Sequence, residues 1–401
     1  MSSLLEGVKV VALERVIAVP AATAILADWG AEVIKVEHPG EGDWFRNVQA
    51  AGVSFAGLDR HPWFELLNRG KKSIALDVGK EGGRKALLQL LAEADVFAAS
   101  LLPSSLKGME LDYEALCRLN PRLIYATVTG YGHEGPERDR PGFDIAAFWA
   151  RSGIMAYLGE PEAPPVLSAY GMGDLVTSLP LAGAIMAALY ERERSGRGQA
   201  VTTNLYQTGV WAMGLLVQAR LAGAALVPRI SRRTMANPLR NCYRCADGRW
   251  LIINAPLERD WAPFCRALGH PKVEEDPRFA TLEGRLENRE ALIQLLDEAF
   301  AGRPITEWAQ RLARERLVWE KVRTVDEVVE DDQARCNDFF ARVEQPSGPW
   351  ETLASPIRLS RSPARPQGPA PELGQHTEEV LLALGYSWEE IIRLKEEGAI
   401  L

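Results

Sequence analysis

The residue with the clearest chemical potential is Asp174, which ends the segment Gly171-Met172-Gly173-Asp174. Glycines let the backbone approach a bound ligand closely, and the small, apolar run 179–189 predicts a helix packed on all sides. Asp174 is therefore expected at a loop-to-helix junction, where unpaired backbone N–H groups and the helix dipole favour a charged carboxylate. Such a carboxylate suits nucleophilic attack more than proton donation. The alternative is that Asp174 is only the N-cap of the helix.

Cationic side chains gather in three segments that follow predicted strands, at 36–73, 100–112 and 130–144. Each cation alone is typical of a solvated surface, but together they fit an anionic ligand that carries phosphate groups. These cations are Arg46, Arg69, Lys71, Lys72, Lys107, Arg138 and Arg140. We therefore expect a nucleotide-like ligand.

Several familiar motifs are incomplete or absent. Gly70-Lys71-Lys72-Ser73 looks like the end of a P-loop, but Glu65 stands where the first glycine belongs. The first strand-to-helix turn, 14–20, contains no glycine, which argues against a nicotinamide or flavin site. A Gly-x-Ser-x-Gly nucleophile elbow is missing. Cys242-Tyr243-Arg244-Cys245 has the spacing of half a zinc site without a second half, so we expect no metal.

The elements that must position these residues alternate between strand and helix patterns. Predicted strands cover residues 8–13, 32–36, 73–78, 95–99, 123–129 and 201–205. Predicted helices between them cover residues 20–30, 81–94 and 112–119. This alternation predicts an α/β fold in which Rossmann-like βαβ units form a parallel sheet with helices on both faces. Ligands of such sheets bind beyond the carboxyl ends of the strands, where the three cationic segments would lie.

The length of 401 residues predicts two domains. We expect a large ligand-binding domain over 1–195, completed by 372–401, and a smaller α+β domain over 238–326. Segments 196–237 and 327–371 are predicted linkers, the second because it is rich in Pro, Ser and Arg. The small domain is expected to begin with a hairpin, 242–253, that turns at Asp247-Gly248.

Composition excludes several classes of protein. Hydrophobic residues make up 47% of the chain and charged residues 25%, as in ordinary globular proteins. The formal net charge of −8 argues against a nucleic-acid partner. The five scattered cysteines do not form a disulfide framework, and we find neither a leader pattern nor an apolar window of membrane-spanning length. We therefore expect a cytoplasmic protein without a membrane partner.

Several blocks of the chain, in one order, resemble the class III CoA-transferases. This family includes formyl-CoA and carnitine CoA-transferases and the related alpha-methylacyl-CoA racemase. The resemblance covers nearly the whole chain. Its blocks are residues 5–10 (LEGVKV), 28–37 (DWGAEVIKVE), 68–77 (NRGKKSIALD), 120–125 (NPRLIY), 171–174 (GMGD) and 195–199 (SGRGQ).

The resemblance implies an interlocked homodimer of ring-shaped subunits that binds coenzyme A on the large domain. It also implies that Asp174 is the catalytic nucleophile, which takes CoA from an acyl-CoA through a covalent aspartyl intermediate and passes it to a carboxylic acid. Coenzyme A contacts carried over from the family are Ile17, Ala18, His38, Arg46, Lys71, Lys72, Leu76, Asp77, Ser100, Leu101, Leu102, Lys107, Arg140, Phe143 and Asp144. Neither ATP nor a metal is needed for this exchange.

The chain departs from the family pattern at several positions. Ile17 replaces a glutamine of formyl-CoA transferase, His38 replaces an arginine, and a glycine-rich closing loop has no counterpart in 220–241. The loop after the fourth strand also carries serines, at Ser100, Ser104 and Ser105, in place of Asn and Gly. These changes argue against a formyl or oxalyl substrate.

Two alternatives to a transferase remain. An acyl-CoA racemase or epimerase needs two bases, and Phe143 stands where racemase-like members have a histidine, so we favour the transferase. A non-catalytic CoA-binding protein would keep the basic loops but would have no use for the Gly-Asp motif.

Overall fold

The computed structural model describes residues 3–50, 52–345 and 348–401. Met1, Ser2 and Ala51, within the predicted large domain, and Pro346 and Ser347, within the predicted linker 327–371, lie outside the described residues. The chain divides into two compact units. Unit 1 contains residues 1–155, 167–224 and 333–401, and unit 2 contains residues 156–166 and 225–332.

A six-stranded sheet forms the centre of unit 1. All of its neighbouring strands pair in parallel, in the order β3-β2-β1-β4-β5-β6. The strands are β1 Lys9–Leu13, β2 Glu32–Glu37, β3 Lys72–Ala75, β4 Val96–Ala99, β5 Ile124–Thr129 and β6 Ala200–Asn204. This is the Rossmann strand order, so the predicted parallel α/β sheet is confirmed. Strands β1 to β3 are added toward one edge of the sheet and β4 to β6 toward the other. In such folds ligands bind where this order changes, between β1 and β4.

Helices cover both faces of the sheet, as the alternating pattern predicted. The helices of the chain before residue 225 are α1 Ala18–Asp28, α2 Pro62–Asn68, α3 Glu81–Glu93, α4 Pro103–Gly108, α5 Tyr113–Leu119, α6 Ile154–Tyr157, α7 Met172–Ser195, α8 Leu205–Ala212 and α9 Gly214–Leu221. In β1, Val10 packs with α1 and α7 on one face, and Val11 packs with α3 on the other. Both faces of the sheet are therefore buried.

Helix α7 carries Asp174 on its first turn. Its buried side includes Leu181, Ile185 and Leu189, which pack against α1, while Leu175 and Leu179 are exposed. The expectation of a helix packed on all sides is therefore wrong. Among the described helices, α7 alone has the length and apolarity of a membrane span, contrary to the sequence expectation, but half of its apolar window is buried, as in a core helix of a globular protein.

Unit 2 is built on a three-stranded antiparallel sheet in the order β7-β8-β9. Its strands are β7 Arg240–Arg244, β8 Trp250–Asn254 and β9 Trp319–Lys321. The predicted hairpin at its start is present and turns at Asp247-Gly248, where Gly248 has a φ of 79° that glycine adopts without strain. Helices α10 Trp261–Leu268, α11 Pro271–Glu274, α12 Leu282–Glu287, α13 Arg289–Ala301, α14 Ile305–Arg314 and α15 Val325–Val329 follow.

The last segment of the chain belongs to unit 1. It contains α16 Asp332–Cys336, the antiparallel ribbon of β10 Phe340–Val343 and β11 Trp350–Leu353, α17 Thr377–Ala383 and α18 Trp388–Glu396. Thr377 Oγ1 accepts a hydrogen bond from the backbone N–H of Ala75 at 3.0 Å, and Leu76 pairs with Ile400. The predicted linker 327–371 therefore includes regular elements, while the domain boundaries themselves stay a prediction.

Candidate active site

A cleft of about 240 Å³ opens at the carboxyl ends of β1, β4 and β5. Its walls come from the β1–α1 turn, the loop after β4, the loop after β5 and the first turn of α7. The lining residues are Arg15, Val16, Ile17, Ala18, Trp44, Ser100, Leu101, Leu102, Val128, Thr129, Gly130, Pro141, Gly142, Phe143, Asp174 and Leu205. The structure therefore brings the loops after these strands together at the edge where the sequence predicted a ligand.

A second cleft of about 260 Å³ adjoins the first, since Arg15 and Leu101 line both. Its other walls come from the ends of β1, β2 and β3 and from α4. The residues found here alone are Leu13, Glu14, Val36, Glu37, His38, Gly42, Asp43, Leu76, Val78, Ser105 and Met109.

Asp174 is the third residue of α7, and only 8% of it is exposed. The N-cap of this helix is Gly171, so the alternative that Asp174 is only the N-cap is wrong. Burial raises the pKa of Asp174 to about 7, and repulsion from Asp144 adds to the rise. The sequence expectation that the helix terminus favours the charged form is therefore incorrect, because desolvation of the carboxylate outweighs the helix dipole.

Asp144 caps the helix that carries Asp174. Its Oδ2 accepts a hydrogen bond from the backbone N–H of Gly173 at 2.9 Å, and its side chain is buried. Burial raises the pKa of Asp144, while the backbone N–H groups of Gly173 and Asp174 act in the opposite direction. Two carboxyl groups with raised pKa values therefore lie at the start of one helix.

The glycines before Asp174 allow close packing against protein side chains. A Cβ added to Gly173 would lie 2.5 Å from the ring of Phe148, and one added to Gly171 would lie 2.5 Å from Ile17 Cδ1. Gly171 also has a φ of 65°, which favours glycine. We expected these glycines to admit a ligand, but they instead seat the first turn of α7 against Phe148 and Ile17.

Most of the predicted CoA contacts that carry no positive charge line one of the two clefts. Ile17, Ala18, Ser100, Leu101, Leu102 and Phe143 line the first cleft together with Asp174, and His38 and Leu76 line the second. Asp77 lies beside the second cleft, with its Oδ2 at 3.8 Å from His38 Nε2. Sequence reasoning missed Arg15, Trp44 and Leu205, because their place in the wall depends on how separate loops meet.

Three predicted phosphate-binding cations are engaged by carboxylates. The Lys71 ammonium is fully buried at 2.6 Å from Glu14 Oε1, and burial lowers its pKa to about 8. Arg46 makes a bidentate pair with Glu37, at 2.6 and 3.0 Å. Lys72 lies within 2.9 Å of both Glu32 and Glu379. Their charges are balanced within the protein, so contact with CoA stays a prediction.

The other predicted cations differ in exposure. Lys107 is exposed near the end of α4, and Arg140 is exposed with its guanidinium 4.8 Å from the centre of the Tyr131 ring and 2.6 Å from Glu137. Arg69, by contrast, is buried in a bidentate pair with Asp28. Arg138 pairs with its neighbour Asp139 at 3.1 Å. Lys107 therefore remains the better placed candidate for an anionic ligand, whereas Arg140 is exposed but shares its charge with Glu137.

A family model for CoA-transferase family III matches residues 5–377. The chain belongs to this family. The predicted class, a class III CoA-transferase, is therefore confirmed.

Similar proteins span the whole length of this CoA-transferase. It is 35% identical to "(R)-2-hydroxy-4-methylpentanoate CoA-transferase" of Clostridioides difficile, over 99% of both chains. It is 30% identical to "Cinnamoyl-CoA:phenyllactate CoA-transferase" of Clostridium sporogenes, over 100% of this chain and 98% of the relative. A crystal structure of a CAIB/BAIF family protein from Brucella suis matches with a TM-score of 0.85 and 32% identity, over 96% of this chain and 100% of that one.

The cysteine pair that resembles half a zinc site lies at the hairpin of unit 2. Burial raises the pKa of the Cys242 thiol and raises that of Cys245 to about 11, which disfavours the thiolates that zinc requires. Within residues 3–50, 52–345 and 348–401, no group of three or more His, Cys, Asp or Glu side chains is placed to hold a metal ion. The expected independence from metal stays a prediction for this transferase.

Proposed function

We propose that this protein transfers CoA from an acyl-CoA donor to a carboxylic acid, with Asp174 as the covalent nucleophile. The observation that carries the proposal is the position of Asp174, which lines the ligand-side cleft although its side chain is largely buried. A covalent nucleophile needs access to the substrate and limited access to water, and this residue meets both needs. Family membership supports the reaction class.

In the first half of the proposed reaction, an Asp174 oxygen attacks the thioester carbonyl carbon of the donor. The C–S bond breaks, CoA leaves as the thiolate with the electron pair, and a mixed anhydride of Asp174 and the donor acyl group remains. The thiolate then attacks the Asp174 carbonyl carbon. The donor acid leaves as its carboxylate, and an aspartyl-CoA thioester remains.

In the second half, the acceptor carboxylate attacks the carbonyl carbon of the aspartyl-CoA thioester and CoA again leaves as the thiolate. This step forms a second mixed anhydride, now with the acceptor. The thiolate attacks the acceptor's carbonyl carbon, so the new acyl-CoA leaves and the Asp174 carboxylate is restored. Activated acyl bonds are exchanged throughout, so the cycle needs no ATP.

Burial and the Asp144 charge both favour the first attack. They raise the pKa of Asp174 to about 7 because the ionised carboxylate is poorly solvated and repelled by its neighbour. Acylation removes the charge from Asp174, so the repulsion is relieved as the anhydride forms. Near neutral pH, a substantial fraction of Asp174 is ionised and competent to attack.

We propose that CoA lies along the two adjoining clefts, with its thioester beside Asp174. The second cleft combines apolar Leu76, Val78 and Met109 with the imidazole of His38, a set suited to the flat face of a purine. Lys107 lies two residues after Ser105 of the second cleft, and Arg140 directly precedes Pro141 of the first. The exposed charge of Lys107 is available to the phosphate groups of CoA, and Arg140 would exchange its surface pair with Glu137 for them.

The wall near Asp174 favours an apolar acyl group. Ile17, Trp44, Phe143 and Leu205 contribute large apolar side chains to the cleft. The two CoA-transferases compared above are named for acids with a branched aliphatic or an aromatic side chain. We therefore propose donors and acceptors of this kind. Formyl and oxalyl groups are too small to fill the space between these side chains.

A homodimer is the proposed assembly, in the interlocked, ring-shaped form that the family resemblance implies. In support, α8 and α9 expose large apolar side chains, with Trp211 at 84% and Leu215 at 91% exposure. Such a patch is unusual on a monomer and typical of an interface between copies. Light scattering should give a dimer that persists on dilution, and a stable, active monomer would contradict this assembly. A cytoplasmic location stays part of the proposal.

The test of the proposed reaction is a matrix of donors and acids. 4-Methylpentanoyl-CoA and cinnamoyl-CoA are the donors, and 2-hydroxy-4-methylpentanoate and phenyllactate are the acids, with oxalate as the contrasting acid. New thioesters are identified by mass spectrometry. Without an acid, hydroxylamine should trap the acylated or CoA-bound enzyme as a modification of Asp174.

Asp174→Asn is the matched variant, because it preserves side-chain shape and removes the attacking carboxylate. It should bind free CoA as the natural protein does and should give neither transfer nor adduct. Near-normal turnover by this variant, checked for deamidation, would disprove the nucleophile. Binding of CoA without transfer by the natural protein would favour the non-catalytic alternative.

A further inference from the structure

Val16, in the turn between β1 and α1, has a backbone conformation that its side chain opposes. Its φ is 71°, in the left-handed region. The other described non-glycine residues with positive φ are Glu110, Glu162, Arg316 and Asp338, none of which is branched at Cβ. Branching makes this conformation costly, so the surrounding structure must hold Val16 in place. Val16 also lines the cleft that contains Asp174.

The buried carboxylate of Asp43 holds this strained residue. Both of its oxygens lie 3.3 Å from the backbone nitrogen of Val16, whose N–H they accept. Oδ1 also accepts the N–H of Phe45 at 3.0 Å and so caps the short helical turn Trp44–Asn47. Because Val16 and Trp44 both line the cleft, one carboxylate fixes two of its walls.

Lys35 also holds the turn and Asp43 in place. Its ammonium is fully buried and donates to Asp43 Oδ2 at 3.0 Å and to the carbonyl oxygen of Glu14 at 3.3 Å. The backbone N–H of Arg15 donates to Ser100 Oγ at 2.9 Å. Three consecutive residues of the turn are thus held by hydrogen bonds to other segments. A buried charge such as Lys35 is stable only with such partners.

The turn reaches the nucleophile through Ile17. Its Cδ1 packs where Gly171 has no side chain, and Gly171 is the N-cap of the helix whose third residue is Asp174. The connection from Asp43 to Asp174 therefore consists of a backbone hydrogen bond, one strained residue and one packed side chain. Lys35 is itself a signal of this arrangement, since it is a charged residue within the buried part of β2.

We propose that Asp43 is a positioning residue for CoA transfer, which holds Val16 in the left-handed conformation and so fixes the Ile17 and Trp44 walls against the acyl thioester at Asp174. This inference rests on the proposed function. Asp43 itself forms no bond with the reacting atoms. Its contribution is to keep the thioester carbonyl within reach of the nucleophile, because a small displacement of the carbonyl lowers the reaction rate strongly.

The central test removes the support and then the strain. In Asp43→Asn, both positions of the side-chain group face donors, so the new amide NH2 must oppose Val16 N–H or the Lys35 ammonium. With 4-methylpentanoyl-CoA and 2-hydroxy-4-methylpentanoate, kcat should fall by roughly 10- to 100-fold, with a smaller change in KM for the CoA ester. Adding Val16→Gly to this variant should raise kcat again by about tenfold, since glycine adopts positive φ without support.

Val16→Ala in the same Asp43→Asn background is the matched control. Alanine removes nearly the same side-chain atoms as glycine but still disfavours positive φ, so it should not restore kcat. Equal rescue by alanine and glycine would overturn the proposal, because a change of cleft volume would then explain both. An unchanged kcat in Asp43→Asn would overturn it as well.

A stability comparison keeps the proposal testable if Asp43→Asn does not fold. With Asp43 intact, Val16→Gly should melt at a higher temperature than Val16→Ala, the reverse of the usual order for these residues. A higher Tm for the alanine variant would show that the backbone at residue 16 is not strained, and this result would overturn the proposal. Failure of the proposed function is separate, since the natural protein would then show no transfer with any donor and acid.

Discussion

Asp144 Oδ2 accepts the backbone N–H of Gly173 at 2.9 Å, one residue before Asp174, and its charge helps to raise the pKa of Asp174. One carboxylate therefore both seats the helix and adjusts the ionisation of the proposed nucleophile. The capping contact requires a hydrogen-bond acceptor, whereas the repulsion requires a negative charge. An amide at position 144 separates the two effects.

We predict that kcat/KM for the acyl-CoA rises with pH through about 7 and then levels, because the attacking form of Asp174 is ionised and its pKa is about 7. Asp144→Asn keeps an acceptor for Gly173 and removes the repulsion. The pKa of Asp174 then falls, so the rising limb should move to lower pH. A pH profile for each protein measures the shift, and an unmoved limb would show that Asp144 does not influence the nucleophile.

The same raised pKa predicts how Asp174 affects stability. In the unfolded chain Asp174 ionises near pH 4, and in the folded protein near pH 7, so the folded state binds more protons between these values. The contribution of Asp174 to stability should therefore fall as pH rises from 4 to 7, by an amount on the order of a few kcal/mol. Asp174→Asn should raise the free energy of unfolding at pH 8 and change it little at pH 4.5. Equal effects at both pH values would contradict the raised pKa.

Much of this site follows from local sequence patterns, and the rest depends on contacts between distant segments. The strands that end at the cleft have alternating or continuous apolar patterns, so β1, β2, β4 and β5 were predicted within a residue or so. The Gly-Asp motif is also a local pattern, and it marked the start of α7. Local pattern thus predicted the edge of the sheet at which the cleft with Asp174 opens.

Lys71 illustrates what local pattern does not reveal. Its position after a strand suggested a phosphate contact, but its ammonium is buried against Glu14, which lies 57 residues earlier. Ion pairs of this kind depend on how whole elements pack, and the residues around Lys71 in the sequence do not indicate that Glu14 is its partner. The same limit explains why the left-handed Val16 was missed, since no residue type marks a strained valine.

We predict that the lysines of the site divide into structural and ligand-binding residues. Lys71→Met should lower the free energy of unfolding by about 3 kcal/mol, because it leaves the buried Glu14 with a weaker balance of charge. Lys107→Ala should leave stability unchanged and raise KM for the acyl-CoA, most clearly at low salt. Urea unfolding and steady-state kinetics of both variants test the division. An unchanged KM in Lys107→Ala at low salt would exclude Lys107 from the CoA site.

Gly173→Ala should displace the first turn of α7. Its Cβ would lie 2.5 Å from the ring of Phe148, so the helix start or the ring must move. We expect a loss of roughly 1–3 kcal/mol of stability and a fall of about 100-fold in kcat. Gly183→Ala on the same helix is the control, since no atom lies within 4 Å of its added Cβ, and it should stabilise the protein slightly. Equal kcat values for the two variants would contradict the proposed role of the helix start.

The last prediction separates transferase from racemase chemistry. A racemase removes and returns the hydrogen alpha to the thioester carbonyl with two positioned bases, whereas the transfer route changes bonds only at the carbonyl carbon. Phe143 lines the cleft, and its ring cannot accept or donate a proton. The family resemblance assigns to this position the histidine of racemase-like members. We therefore expect 2-methylbutanoyl-CoA, incubated with the protein in D₂O, to gain no deuterium at the alpha carbon. Phe143→His is the informative comparison, because it supplies a second titratable group beside Asp174. Rapid alpha-deuteration by the natural protein, with no hydroxylamine adduct at Asp174, would reassign Asp174 as the base of an isomerase.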